Sequence, residues 1–171
     1  MITPRLRLAL TCLAALWGAA QLWARPTSLL GWIAVLVAAA LVWGYFRVGT
    51  VWLALAAYRV GNVERMREHV HRVRWPRLLT LRNRAHYHWL KGVGLALEGD
   101  LRGARQQLLL ARRGRLRNTT SRSIVECQLA DVALRSGEYE KAHGHLACAR
   151  SYRHPPRVDR LIDLVAERLG A

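Results

Sequence analysis

The sequence predicts an all-α protein: an N-terminal two-helix transmembrane hairpin over residues 1–46, then a short α-solenoid of about three helix pairs with a C-terminal capping helix over residues 47–171. Three observations predict it. Two uncharged stretches, Leu8–Ala24 and Pro26–Phe46, stand end to end. Gly61-Asn62, Gly99-Asp100 and Gly137-Glu138 recur at a spacing of 38 residues. Around these dipeptides, small and leucine-like residues return every three or four positions, the period of one helix face.

The apolar stretches are 17 and 21 residues long, enough for a helix to cross a bilayer core. Between them Ala24-Arg25-Pro26-Thr27-Ser28 reads as a tight turn, because proline cannot continue a helix. A cleaved leader is the alternative for the first stretch, with Arg5 and Arg7 as its charged start. The second stretch follows after one turn, however, and Trp17 and Trp23 suit an interfacial belt. Arginines precede the first span and follow the second, with only Arg25 in the turn, so both termini and the repeat domain are expected on the cytoplasmic side. The expected setting is a bacterial inner membrane.

The formal net charge of +16 lies mostly beyond the hairpin: 24 of the 27 basic residues and all 11 acidic ones fall at or after Arg47. Such a domain, tethered to a cytoplasmic leaflet, is drawn toward anionic lipid head groups within a Debye length. Nucleic acid would be attracted too, but the tether disfavours it as a partner. Cys12 falls in a span, and Cys127 and Cys148 lack CxxC spacing, so no structural disulfide is expected.

The repeat units share one grammar. In the second, Ala85–Leu97 is a helical run, Gly99-Asp100 breaks it, and Leu101, Ala104, Leu108 and Ala111 recur at helical spacing. In the third, Ile124–Leu134 leads to Gly137-Glu138 and then to Tyr139, Ala142, Leu146 and Ala149. Gly92 and Ala130 precede the turn glycine by seven residues, and Ala104 and Ala142 follow it by five. A minimal side chain therefore stands on both helices where their axes approach. Leu108 and Leu146, four positions later, fill the gap beyond.

These residues resemble the tetratricopeptide repeat, whose pattern sets small residues at the helix crossing and a larger one four positions after the second of them. In the first unit Ala54 and Gly61-Asn62 fit, while Met66, Val70 and Val73 replace the small-large-small pattern. The period is 38 rather than 34, and connections at Trp75–Thr80 and Gly114–Ser121 absorb the difference. After Pro155-Pro156, residues Val158, Leu161, Ile162, Val165 and Leu169 share one face of a helix over 156–169, a terminal cap. The layout of two spans followed by helical repeats is also similar to inner-membrane proteins associated with haem biosynthesis.

No catalytic constellation, cofactor site or metal site is expected. The pairs His69/His71, His86/His88 and His143/His145 point about 200° apart on a helix, whereas helical metal ligands use four-residue spacing. Neither Cys127 nor Cys148 has a neighbour that would lower its pKa. Asn118-Thr119-Thr120 matches a glycosylation sequon that a cytoplasmic loop would not use.

The expected role is therefore binding, not catalysis. The resemblance implies that the first helix of each unit lines a groove, which directs Val48, Val51, Leu55, Tyr58 and Arg59, then His86, Trp89, Val93 and Leu97, then Ile124, Cys127, Asp131 and Arg135 toward a partner. The lysine, asparagine and arginine of the family's carboxylate clamp are replaced by Val51, Leu55, Leu90, Ile124 and Gln128, so that binding mode is excluded. Trp89 is the expected anchor, since tryptophan is enriched among hot spots; the alternative is that it packs inside the superhelix. Arg112, Arg113, Arg115 and Arg117 form the densest charge cluster and are assigned to lipid phosphates or an acidic partner. The expected function is a membrane-anchored scaffold or assembly factor for another protein, an inner-membrane complex being the first candidate. The alternative is a basic membrane-surface or nucleic-acid-binding module.

Overall fold

The computed structural model describes the backbone of residues 4–24, 29–48, 50–114 and 116–170 and, in the first two helices, side chains at 12, 13, 15–21, 23, 24 and 29–41. Every described element is helical: α1 Pro4–Ala24, α2 Leu29–Val48, α3 Val51–Arg59, α4 Val63–His71, α5 Leu81–Glu98, α6 Leu101–Arg113, α7 Thr119–Arg135, α8 Tyr139–Ser151 and α9 Pro156–Gly170, with a 3₁₀ turn at Pro76–Leu78. The chain divides into two compact units, Met1–Val48 and Gly49–Ala171.

In the first unit α1 packs on α2 through small residues. A Cβ added at Gly18 would stand 3.1 Å from the Ala34 Cβ and 3.2 Å from the Gly31 carbonyl oxygen. Ala34 and Ala38 are buried at the same contact. The large apolar side chains face the other way: Leu13, Leu16 and Trp17 on α1 and Trp32, Ile33 and Leu36 on α2 are all exposed. Among the described residues no helix is long and apolar enough to cross a membrane. The spans expected at Leu8–Ala24 and Pro26–Phe46 extend onto residues outside that description, as does the expected turn with Arg25.

The second unit is built from three helix pairs, α3/α4, α5/α6 and α7/α8, with α9 packed on α7 and α8. Each pair turns at its glycine. Gly61, Gly99 and Gly137 have φ of +80°, +87° and +75°, a left-handed conformation that costs glycine nothing and other residues much. The amides of Asn62, Asp100 and Glu138 then reach back to the carbonyls of Ala57, Leu95 and Ala133 at 2.9, 3.0 and 2.9 Å. Asn62 and Asp100 cap the following helices by accepting from the Arg65 and Gly103 amides. Three pairs thus share one turn, 38 residues apart.

The crossings fall where the small residues stand. An added Cβ at Gly92 would lie 2.8 Å from Leu108 Cγ and 3.2 Å from the Ala104 carbonyl. Ala104, Leu108, Ala111, Ala130, Ala142, Leu146 and Ala149 are all buried. The first pair buries Ala54 and Met66 at the equivalent positions. Tethers at the end of the array come from α9, which buries Val158, Ile162 and Val165.

One of the two expected connections differs from expectation. The connection expected over Gly114–Ser121 is shorter, because α7 begins at Thr119. Its cap is Asn118, whose side chain accepts from the Thr120 amide at 3.0 Å. The supposed sequon is thus a helix N-cap, where asparagine is favoured. The longer connection over Trp75–Thr80 holds the 3₁₀ turn and buries Leu79.

Candidate interaction surface

The first helices of the three pairs are tied to each other by one side chain apiece. Trp89 of α5 donates its indole Nε1–H to Gln128 Oε1 of α7 at 2.7 Å. Gln128 Nε2 in turn donates to the Tyr58 hydroxyl of α3 at 2.9 Å. The Tyr58 and Trp89 rings meet edge to face, centroids 5.4 Å apart, a geometry that the ring quadrupoles favour. Burial raises the Tyr58 phenol above its ordinary pKa, outweighing the Gln128 bond that lowers it.

Trp89 is 3 % exposed, so the expected partner anchor is a core residue whose one polar atom is already satisfied. A buried indole with its N–H paired is a stable arrangement. His86, one helical turn earlier, is also buried and lies 6.0 Å from Trp89 and 6.4 Å from Trp52, centroid to centroid. Its pKa falls below the ordinary imidazole value, first through burial and then through the nearby Arg82 and Arg59. The Arg82 guanidinium lies 5.5 Å from the centre of the Trp52 ring, within cation–π range.

The remaining groove residues separate into two groups. Arg59, Leu97 and Arg135 are exposed and Val93 is half-buried. Cys127 and Asp131 are instead engaged with α9. The Cys127 Sγ donates to the Leu161 carbonyl at 3.5 Å, and burial, followed by Asp131, pushes its thiol up to about 12. Asp131 pairs with Arg168 at 3.5 Å and with Arg135 at 3.9 Å. The capping helix occupies the space assigned to a partner there. Val51, Leu55 and Leu90 are buried, and the Val48 side chain lies outside the described residues.

The arginine cluster is also divided. Arg113 and Arg117 are exposed, and Arg115 lies outside the described residues. Arg112 is committed: its Nε lies 2.9 Å from Oε1 of Glu126, a carboxylate only 2 % exposed. The other Glu126 oxygen accepts from His145 Nδ1 at 2.8 Å. Arg122, not singled out in the sequence, donates its Nε–H to the Leu116 carbonyl at 2.8 Å. These arginines, with Arg113, Glu126 and Tyr152, line a cavity of about 310 Å³.

The bond between Glu126 and His145 has a counterpart one unit earlier. His88 Nδ1 donates to Gln107 Oε1 at 2.8 Å, and His88 and Gln107 precede Glu126 and His145 by the repeat period of 38 residues. In the first pair Thr50, at the same register, donates its hydroxyl to the His69 carbonyl at 2.6 Å. A polar clasp therefore joins the two helices of each pair at one height, built each time from different residues. Successive pairs are also linked by salt bridges, Arg67 to Glu98 and Arg105 to Glu138.

Among the described residues no three His, Cys, Asp or Glu side chains converge. No protein-family model matches the chain, and no curated protein or solved structure is significantly similar to it.

Proposed function

We propose that the chain is a membrane-anchored protein-interaction scaffold or assembly factor, with a transmembrane hairpin and a cytoplasmic, tetratricopeptide-like array. The burial pattern of the hairpin carries this reading. Gly18, Gly31, Ala34 and Ala38 are inside, while Leu13, Leu16, Trp17, Trp32, Ile33 and Leu36 are outside. In water that arrangement leaves a large apolar surface unpaid for. In lipid it is the favoured one, since small residues let helices approach and the tails solvate large side chains. At 1.5 Å per residue α1 and α2 are each about 30 Å long, the thickness of the hydrocarbon core.

The array supports binding, not catalysis. Its side chains are committed to holding first helices side by side, which leaves Trp52, Arg59, Arg82, Val93, Leu97 and Arg135 as a mixed aromatic, apolar and cationic surface for another protein. An inner-membrane complex is the first candidate, and the exposed arginines near residues 112–117 add contact with anionic lipid head groups.

Reporter fusions at Pro26 and Ala171 test the anchoring, and opposite compartments are expected, with Ala171 inside. An external Ala171 would remove the cytoplasmic reading. Co-purification in mild detergent tests the surface: Arg59→Glu with Leu97→Ser is expected to lose the partner without changing the melting temperature. Partner loss with added salt alone, steep between low and moderate concentration, would favour phosphate binding by a basic module instead.

A further inference from the structure

The cavity between the end of α6, the start of α7 and Tyr152 is lined by three arginines that are not equivalent. Arg112 is fixed through its Nε, 2.9 Å from the Glu126 carboxylate. That carboxylate is itself buried and held from its other side by His145. Arg122 is fixed through its Nε on the carbonyl of Leu116, a buried residue. In both, the backbone-proximal nitrogen is used to orient the guanidinium, while the two Nη groups find no acceptor among the described residues. Arg113, on the same rim, has no acceptor among them at all.

Two oriented guanidinium edges and a third, exposed one around a single cavity form a recognisable donor set. Each Nη edge offers parallel N–H donors that match two oxygens of one tetrahedral or planar anion. The Glu126 charge does not oppose an anion strongly, since it is already shared between Arg112 and the His145 ring. Three guanidinium groups against one paired carboxylate leave the cavity cationic. One carboxylate ligand has two oxygens and would satisfy one edge. A free phosphate or a phosphomonoester, with three or more free oxygens, can satisfy more than one.

We propose that this cavity is a phosphate-group site, with Arg113 and Arg122 contacting the ligand, Arg112 completing the donor set, and Glu126 and His145 acting as positioning residues for Arg112. The inference rests on the proposed lipid contact near residues 112–117 and narrows it to a defined set of side chains. The phosphate is carried either by a lipid whose head group ends in a phosphomonoester or by a small soluble ion, since both keep three or more free oxygens. Arg117, exposed and outside the cavity lining, is not part of the site.

The test uses the full chain in uncharged detergent micelles and radiolabelled inorganic phosphate in equilibrium dialysis. Saturable binding is expected, weakened about tenfold or more in Arg113→Gln and in Arg122→Gln, which is the worth of one charge-assisted hydrogen bond. Arg117→Gln should stay within about twofold, well under the tenfold that 1.4 kcal/mol represents. Arg122→Gln also breaks the bond to Leu116, whereas Arg113→Gln breaks no contact among the described residues, so the latter decides if the former loosens the fold. Lysine at either position keeps the charge and loses the fork, and is expected to bind weakly. Full binding by Arg113→Lys and Arg122→Lys, equal weakening by Arg117→Gln, or no saturable binding by the native chain would each overturn the site.

Doping the micelles with phosphatidic acid separates the sources. Competition with labelled phosphate assigns the site to a lipid head group, whereas saturable phosphate binding without competition assigns it to a soluble ion and removes the lipid reading of this loop. Retention on phosphatidic acid vesicles without any phosphate binding would have the opposite meaning: the lipid contact would stand and the cavity would fall.

Discussion

The hairpin and the repeat array follow opposite burial rules with the same residue types. In α1 and α2 Leu13, Trp17, Trp32 and Leu36 face outward and Gly18, Gly31, Ala34 and Ala38 face inward, whereas in the array Trp89, Leu90 and Leu108 are buried and arginine takes the surface. Both regions put small residues at helix crossings, so tight packing is common to them. What differs is where the large apolar atoms go, and under the proposed membrane reading the solvent makes that choice. Water expels such surface at roughly 25 cal/mol per Å²; hydrocarbon does not, and leaves van der Waals fit between the helices to decide their pairing.

Two tryptophans offer the sharpest test of that contrast. Trp89 is 3 % exposed and Trp32 is 54 % exposed. Trp89→Ala should cost the array roughly 3 to 5 kcal/mol, and it also strands the Gln128 amide that the indole satisfied. Trp32→Ala should leave the array's denaturation midpoint unchanged and keep α1 and α2 paired, as read by cysteine cross-linking across the hairpin. Full-length protein in mild detergent, followed by far-UV circular dichroism in urea, measures the first effect. A hairpin that came apart on losing Trp32 would break the comparison, because that side chain would then be packing, not facing solvent.

Small-to-large changes probe what the two regions have in common. Ala142 is fully buried at the α7/α8 crossing, and Ala142→Leu is expected to overpack it by roughly 1 to 3 kcal/mol. Gly18→Leu is expected to part α1 from α2, since even one carbon there meets Ala34 at 3.1 Å. Arg102→Leu, on the exposed side of α6, should stay within about 0.5 kcal/mol. The first pair sharpens the point, since it carries Met66 where the others carry alanine. If Ala142→Leu matched Arg102→Leu, the alanine would be incidental and the crossing set by the turn alone.

Much of the array was legible because its rules are local. A glycine at positive φ is needed to turn each pair, and a small residue seven positions before it and five after is needed to close the crossing, so both leave marks at fixed spacing. The polar clasps left none. Thr50, His88 and Glu126 occupy one register and His69, Gln107 and His145 the other, and the three pairs differ from one another, the first using a backbone carbonyl, so only the pairing in space reveals them. The depth of Trp89 was left undecided for a related reason. Helical periodicity gives the direction of a side chain but not its depth, and Trp89 is sealed by Tyr58 and Gln128, which stand 70 residues apart from each other. In the arginine cluster the sequence showed the charges but not their partners: Glu126, inside an otherwise apolar run, had already claimed Arg112. In the first unit the two helices were legible from two long apolar stretches, and the sorting of small from large residues across the helix contact was not.

The smallest expected effect concerns His86, which lies on the array's inner face beside Trp89 and close to Arg59 and Arg82. Its folded pKa is depressed, chiefly by burial, so the native state resists a proton that the unfolded chain accepts below about pH 6.5. Stability is therefore unaffected by this group above that value, and falls as the pH drops below it, because protonation then favours the unfolded chain. Replacing the imidazole by a neutral side chain of similar size, as in His86→Gln, should flatten the decline between pH 6.5 and pH 5 without abolishing the contributions of other groups. No change of slope in urea midpoints across that window would mean that His86 takes its proton in place, and that the inner face is wetter than its packing implies. The same substitution in the hairpin's exposed face has no titrating group to remove, so a pH-dependent slope there would have to come from the array, and its disappearance in His86→Gln would assign it.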